Sequence, residues 1–527
     1  MRRAGFVCLL FVLAFTLRFM LISKGPFHYD TLDLAICAQK TLATGLLQYE
    51  HGSGYPLTVV MGAVFIVVLR FFGAADPVFC VNVMSVFFGA AGVVVFFFFL
   101  EKLFDPSVPA RHLPTAGPLP EAPPENVPGW AGKAEPGPSG LHSRRAFYSA
   151  ILLALLGAHV AISTFGKSLT LSIFFSLASA YFLLCYLKDG RRLCFFYAIA
   201  FLGFCAATRL SDLLVLAPLL YLLARYGRTE ASRLRDLFVF AGLSLATAFI
   251  YYLPMLMQKG FGQFHDVLST SRQASFLGPV SFIFPKSIAW LVDSLRPEGV
   301  LMAVCGLGFL FIHRRLKELV FLLLWFCVFQ IFYGNVSSSG VRYLVIGWLP
   351  LLAAQGYFLG SYRGRAAYGA FVILLWLALA GFWRDLPAME FRHRHALQAD
   401  YARWVASKTP SDSVVIAVDE AIFLQFYTDR EVVVRPVTCR GDELKVFYRE
   451  AIDPVLAAGR RVFMVRSSLA YDECFAFRKT LKDLYRVKMA GIKTNEDWHH
   501  ALLNQVLFKE ELYELFPREE PAGEKIP

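Results

Sequence analysis

The sequence predicts a polytopic α-helical membrane protein of about 11 transmembrane helices with a small C-terminal extracytoplasmic α/β domain. Three observations predict this. First, 57% of the 527 residues are hydrophobic and mean hydropathy is +0.52. The apolar residues fall in runs near the roughly 20 residues needed to cross about 30 Å of hydrocarbon. Runs of that length without strand-like alternation exclude a β-barrel. Second, the net charge of +12 is unevenly placed. Residues 1–383 carry 30 Lys+Arg against 17 Asp+Glu, whereas residues 384–527 carry 22 against 23. The excess lies between apolar runs, as the positive-inside rule requires, and does not point to nucleic acid. Third, the period changes from about residue 396. Bursts of strand length, VVIAV (414–418), VVV (432–434) and VFMV (462–465), alternate with helical patterns at 396–407, 442–458 and 473–485.

Taken in order, residues 4–22 form a first span whose start is held in the cytoplasm by Arg2 and Arg3. No small-residue cleavage site follows, so it reads as a retained anchor. The polar loop 23–56 comes next, outside, with residues 31–44 suited to a surface helix. Residues 56–72 are apolar but end near Arg70, and read as a juxtamembrane or re-entrant helix, with a full span as the alternative. A second span covers about 77–100. Residues 105–143 are too rich in Pro and Gly to pack a core and predict a disordered cytoplasmic insertion. Further spans are expected at about 146–164, 170–187, 193–208, 212–226, 237–256, 298–312, 319–333, 344–360 and 366–383. Residues 258–297 read as a long polar outer loop. This count places every basic inter-span cluster in the cytoplasm and residues 1–390 and 391–527 in two domains, the second outside.

Most of the ten Cys lie in apolar runs, where they act as small hydrophobes. Cys439 and Cys474 are placed to form a disulfide if their domain is extracytoplasmic. No CxxC occurs, which argues against a zinc or redox site.

Ionisable residues packed between membrane segments are functional candidates. The loop 23–56 holds Asp30, Asp33, His28, His51, Tyr29 and Tyr55. Asp30 is either a helix N-cap or a catalytic base. Asp33 is a first-turn acid favoured by the helix dipole, or a second catalytic carboxylate. His28 and His51 are loop polar groups or ligands. Further along, Lys167 is an interfacial anchor or a phosphate contact. Arg209 pairs with Asp212 or reaches a phosphate. Arg342 with Tyr343 opens a late span as an anchor or a phosphate fork.

The ordered set LRFMLISKGPFHYD (17–30), AQKTLATG (38–45), GYPL (54–57), VNVMSVFFGAAGVV (81–94), AATRLSDLLVLAPLL (206–220) and VRYLVIGWLP (341–350) resembles the GT-C glycosyltransferases. The similarity is to protein O-mannosyltransferase and aminoarabinose-transferase relatives, including glycosyltransferase family 39. Arg18, Asp30, Gly45 and Pro56 fall at matching places. The resemblance implies an outer-face site, a polyprenyl-phosphate sugar donor, a lipid, glycan or protein acceptor, and Asp30 as the base. It requires no cofactor, although a divalent cation is compatible with it. Two positions depart from the family pattern. Thr31 stands where Glu often follows the Asp, and the turn GKSLTL (166–171) carries no acid. The expectation is an inverting glycosyltransferase of a bacterial inner membrane with its N-terminus in the cytoplasm. A lipid or sugar transporter or flippase, and an inactive membrane scaffold, are the alternatives.

Overall fold

The computed structural model describes residues 2–49, 55–105, 138–226, 230–275, 284–336, 340–362, 365–418, 420–470, 475–494 and 509–518. His51, Cys474 and most of the expected insertion lie outside these residues.

Helices come first. They are α1 (Arg2–Met20), α2 (Tyr29–Thr44), α3 (Pro56–Phe71), α4 (Pro77–Phe104), α5 (Pro138–Leu155), α6 (Gly157–Ser163), α7 (Ser168–Asp189) and α8 (Arg192–Thr208). A 3-10 turn, Leu210–Val215, leads into α9 (Leu216–Tyr226). Then follow α10 (Glu230–Ser275), α11 (Phe284–Ile312), α12 (Leu316–Tyr333), α13 (Val341–Gly360) and α14 (Arg365–Arg394). Among the described residues 7 helices are long and apolar enough to cross a membrane, or 8 if the bent pair α5–α6 is one span. The N-terminal helix from Ala4, α3 and α8 are apolar but shorter.

The core is built on α4. Asp76 caps its start by accepting from Val78 N at 2.9 Å, and Pro77 supplies the first helical φ. Its sequence is apolar on every face, so it is buried all round, against α1, α2, α3, α5, α6 and α7. Its last carbonyls are bonded by cations. Lys188 Nζ donates to the carbonyls of Lys102 and Asp105, and Arg315 Nη1 to that of Phe104. Cations at a helix C-terminus complement the macrodipole. The long peripheral helices instead present large apolar side chains outward, among them Phe238 (77% exposed), Met257 (79%) and Trp383 (65%). Hydrocarbon is the medium that accepts such a surface.

Three sequence expectations change. The polar stretch 258–297 is helical where described. A helix continues beyond a break at Gly260 (φ 76°), and α11 starts at Phe284 with a break at Arg296 (φ 63°). The span expected from about 298 is therefore the second part of a longer helix. Lys259, Arg296 and Glu298 of this stretch sit beside the helix breaks. Residues 138–143, expected as the end of the insertion, form the first turns of α5. They are tied down there by Ser143 Oγ donating to Glu101 Oε1 at 2.7 Å.

The C-terminal part begins with α15 (Leu397–Lys408), followed by β1 (Val414–Ala417), α16 (Ala421–Tyr427), β2 (Glu431–Val434), β3 (Val462–Val465), β4 (Tyr485–Thr494) and β5 (Lys509–Pro517). The strand order is β2-β1-β3-β5-β4. β1 pairs parallel with β2 and β3, and β5 runs antiparallel to β3 and β4. β1 and β3 are buried on both faces, which is why they read as continuous apolar runs. Val414 and Ile416 enter one core with Leu444, Tyr448 and Phe477. Val415 and Ala417 enter the other with Tyr401, Val405 and Leu424. Cys439 is disulfide-bonded.

This domain is seated on the helical bundle. Phe423 of α16 joins the bundle's core, next to α2. The link from α14 to α15 grips the segment before α2. Lys24 N donates to the Arg392 carbonyl at 3.1 Å, and Gln398 Nε2 to that of Phe27 at 2.8 Å.

Two tests follow from packing and burial. A Cβ on Gly306 would lie 2.0 Å from the Ala354 carbonyl oxygen, a backbone atom that cannot rotate away. Gly306→Val should therefore force α11 off α13 and cost on the order of 1–3 kcal/mol, read as a lower thermal midpoint in detergent. In the sheet domain, burial first and then Glu420 push the Glu510 carboxyl from 4.5 up to about 7. A raised carboxyl favours folding only while protonated, so this contribution is lost as pH rises through about 7. Thermal midpoints at pH 5.5 and 8.5 should differ less in Glu510→Gln than in the wild type.

Candidate functional site

At the end of the bundle that carries the sheet, two irregular segments meet on α4. One is residues 21–28, before α2. The other is residues 164–167, before α7. Asn82 joins them. Its Nδ2 donates to the Ser23 carbonyl at 3.1 Å, and its Oδ1 accepts from Gly166 N at 2.6 Å. Ser85, one turn on, accepts from Lys167 N at 3.1 Å. Ser23 N also donates directly to the Thr164 carbonyl at 2.8 Å. These bonds fix Asp30 and Lys167 side by side across 137 positions of sequence.

The Lys167 ammonium is ion-paired with Asp30 Oδ2, and both groups are largely out of water, at 4% and 13% side-chain exposure. Asp30 is in the first turn of α2, and His28 is its N-cap. Asp30 N donates to His28 Nδ1 at 3.2 Å. Nδ1 also lies 3.2 Å from Asp30 Oδ1. Burial, with Lys167 next, lowers the His28 ring from 6.5 to about 4. The ring is thus neutral at ordinary pH and, accepting at Nδ1, has no proton there for the carboxylate. Its neutral form favours folding, and that contribution is lost as pH falls from about 6.5 to about 4. The cap, not a charge switch, is what the structure shows for His28.

The remaining cations converge on one aromatic ring. Arg209 lies 4.8 Å from the Tyr343 centroid, Arg342 4.9 Å and Lys167 5.9 Å. Arg342 Nη2 donates to Tyr343 Oη at 3.3 Å. Arg342 Nε is buried without a hydrogen-bond partner among the described residues. Arg209 is held from behind. Its Nη2 donates to Tyr333 Oη at 3.1 Å, and its Nε sits 3.4 Å from Asp212 Oδ2. Tyr333 in turn donates to Asp212 Oδ1 at 2.5 Å and stacks on Tyr343 at 5.7 Å. Ser172 Oγ donates to Asp212 Oδ2 at 2.5 Å.

Two of these cations sit at helix starts and the third at a junction. Lys167 is the N-cap of α7, Arg342 is the second residue of α13, and Arg209 is both the C-cap of α8 and the residue before the 3-10 turn. None of those three starts has a side-chain cap. A cation there opposes the macrodipole by about 0.3–1 kcal/mol, whereas an anion is favoured. Three cations around one ring are a charge arrangement suited to an anion, and the fork geometry of arginine suits one with several oxygens.

The structure therefore brings Asp30, Lys167, Arg209, Arg342, Tyr343 and His28 together. Tyr55 has a left-handed backbone (φ 41°) at the start of α3 and lies within electrostatic reach of Arg209. Tyr29 packs half-buried against the bundle core. Asp33 accepts from Cys37 Sγ at 3.7 Å within α2. His51 is outside the described residues. Asn82, Ser85 and Tyr333 carry no role in the sequence reading, although Asn and Ser inside an apolar run (VNVMSV) were a signal for the first two. Among the described residues no group of three His, Cys, Asp or Glu is placed to hold a metal.

With this geometry in place, comparison becomes informative. The crystal structure of ArnT from Cupriavidus metallidurans in the apo state superposes with a TM-score of 0.59, covering 98% of each chain at 13% identity. The chain shares the fold of that ArnT structure. Residues 37–117 match the family model of the protein O-mannosyl-transferase TMEM260 N-terminal domain. No curated protein matches in sequence. The family match begins after Asp30 and ends before Lys167. It includes the second half of α2 and all of α4, hence Asn82 and Ser85. Both findings agree with the resemblance to GT-C enzymes carried by the sequence motifs.

Asn82 is the residue to test here. Asn82→Leu removes three buried hydrogen bonds and leaves the Gly166 N–H and the Ser23 carbonyl in an apolar setting. The expected cost is about 1–3 kcal/mol of stability. Faster proteolysis within residues 21–28 than elsewhere in the variant would show that this loop is what Asn82 secures.

Proposed function

We propose that this protein is an inverting glycosyltransferase. It moves a sugar from a polyprenyl-phosphate donor to a lipid, glycan or protein acceptor at the extracytoplasmic membrane face. The observation that supports it is the charge balance of one buried cluster. Lys167, Arg209 and Arg342 face two carboxylates, Asp30 and Asp212, which leaves one positive charge among the described members for an incoming anion. An excess positive charge largely out of water favours an anion such as phosphate.

Chemically, the acceptor hydroxyl attacks the sugar's anomeric carbon as the bond from that carbon to the phosphate oxygen breaks. Asp30 takes the hydroxyl proton. Arg209 and Arg342 stabilise the negative charge that develops on the departing lipid phosphate. Asp212 and Tyr333 keep the Arg209 fork aimed at it. One carboxylate acting on the acceptor gives a single displacement, hence inversion. Asp33, within α2, is placed to assist through its neighbourhood of Asp30. Tyr29, Tyr55 and His51 are candidates for substrate contact around the rim.

Asp30→Asn keeps the shape and removes the base. Transfer from a radiolabelled polyprenyl-phosphate sugar in lipid nanodiscs should fall by about 10²–10⁴-fold, with the thermal midpoint retained. Unchanged transfer by that variant would take Asp30 out of the reaction.

A further inference from the structure

We propose that Lys167 is a latch on Asp30, and that the phosphate of the donor opens it. This deepens the glycosyltransferase reading and rests on it. In the structure the base is paired, with Lys167 holding Oδ2. An ammonium beside a carboxylate favours its charged form and so makes it a weaker acceptor of the acceptor's proton.

The geometry allows Lys167 to change partner without moving its backbone. The peptide is pinned through Ser85, which accepts from Lys167 N at 3.1 Å and donates to its carbonyl at 3.3 Å. The four-carbon side chain remains the only part that has to rotate. Its ammonium is already 5.9 Å from the Tyr343 ring, which Arg209 and Arg342 share at 4.8 and 4.9 Å. A phosphate bound between the two guanidinium groups lies within a side-chain rotation of Lys167.

Electrostatics sets the direction of the exchange. In the empty cluster the two arginines repel the ammonium, and Asp30 is its available buried counter-ion. A phosphate replaces that repulsion with an anion bearing several acceptor oxygens. Lys167 then joins Arg209 and Arg342, and Asp30 is left facing the acceptor. Donor binding and base release become one event. After transfer Asp30 passes the hydroxyl proton to water, the lipid phosphate leaves, and Lys167 returns to the carboxylate.

The test is a double-mutant cycle on binding, which needs no sugar transfer. Farnesyl phosphate, with inorganic phosphate alongside it, is titrated onto the full-length protein in detergent micelles for the wild type, Asp30→Asn, Lys167→Met and the double variant. A latch predicts that Asp30→Asn binds farnesyl phosphate about tenfold more tightly because Lys167 is free, and that this gain vanishes in the Lys167→Met background. An equal gain in both backgrounds means simple charge repulsion and overturns the latch, as does no gain at all. If Lys167→Met does not fold, Lys167→Gln closes the same cycle. Binding of neither phosphate by any folded variant overturns the phosphate site and the function with it. Phosphate binding without the coupling overturns the latch alone. Inorganic phosphate binding as tightly as farnesyl phosphate would assign the site to the headgroup rather than the lipid.

Discussion

One buried amide organises the site. Asn82 is fully enclosed and spends both ends of its side chain on backbone, one in the segment before α2 and one in the segment before α7. Neither segment has regular structure of its own, so neither fixes its own position. Bonded to the same residue of the central helix, they acquire a common frame. The Asp30 and Lys167 ion pair is a consequence of that frame. An Asn in a helix this apolar is tolerable because all its polar atoms are used, and the same fact makes it specific.

The two ends of the bundle treat charge in opposite ways. At one, Lys188 and Arg315 bond the last carbonyls of α4, where a cation stabilises the helix. At the other, Lys167 and Arg342 stand at helix starts, where a cation is disfavoured, and Arg209 stands beside them at the end of α8. Each misplacement is small, but like charges in one cluster repel, and burial makes them harder to screen. Aromatic faces offset part of the cost, since Tyr343 and Tyr333 lie under the guanidinium groups. In the proposed phosphate site an anion would offset the rest.

Sequence was most informative where a signal is local. Apolar runs located the helices, and the buried parallel strands β1 and β3 were legible as VVIAV and VFMV. β4 and β5 were not read, because the sequence signal used was a continuous apolar burst, whereas Tyr485–Thr494 alternates apolar with charged residues as a half-exposed strand does. The segment 258–297 failed for the related reason that charge was taken as a loop signal, while the backbone stays helical through much of it. At the site, Asp30, Lys167, Arg209, Arg342 and Tyr343 were individually ambiguous between anchor and ligand. Only folding brings them to one ring, and no spacing rule spans such separations. Tyr333 was hidden because a Tyr ending an apolar helix is ordinarily an interfacial anchor. Its bonds to Arg209 and Asp212 exist only in three dimensions.

The sheet domain belongs to the same problem of positioning. Residues 21–28 are held on one side by α4 and on the other by the α14–α15 link. Arg392 is buried between Phe27 and Phe165 at 4.8 and 5.4 Å, and its Nη2 donates to Thr164 Oγ1 at 3.1 Å. It therefore touches both segments that Asn82 joins, from the opposite face. His393 Nδ1 is 2.9 Å from the Ile22 carbonyl, and Gln398 reaches Phe27. A Cβ on Gly25 would come within 2.9 Å of Ala396 Cβ, so the two chains approach as closely as a glycine permits. A base must be held to within a fraction of an ångström of its partner. A free loop at a bilayer rim cannot do that, and a loop clamped between a central helix and the root of a folded domain can.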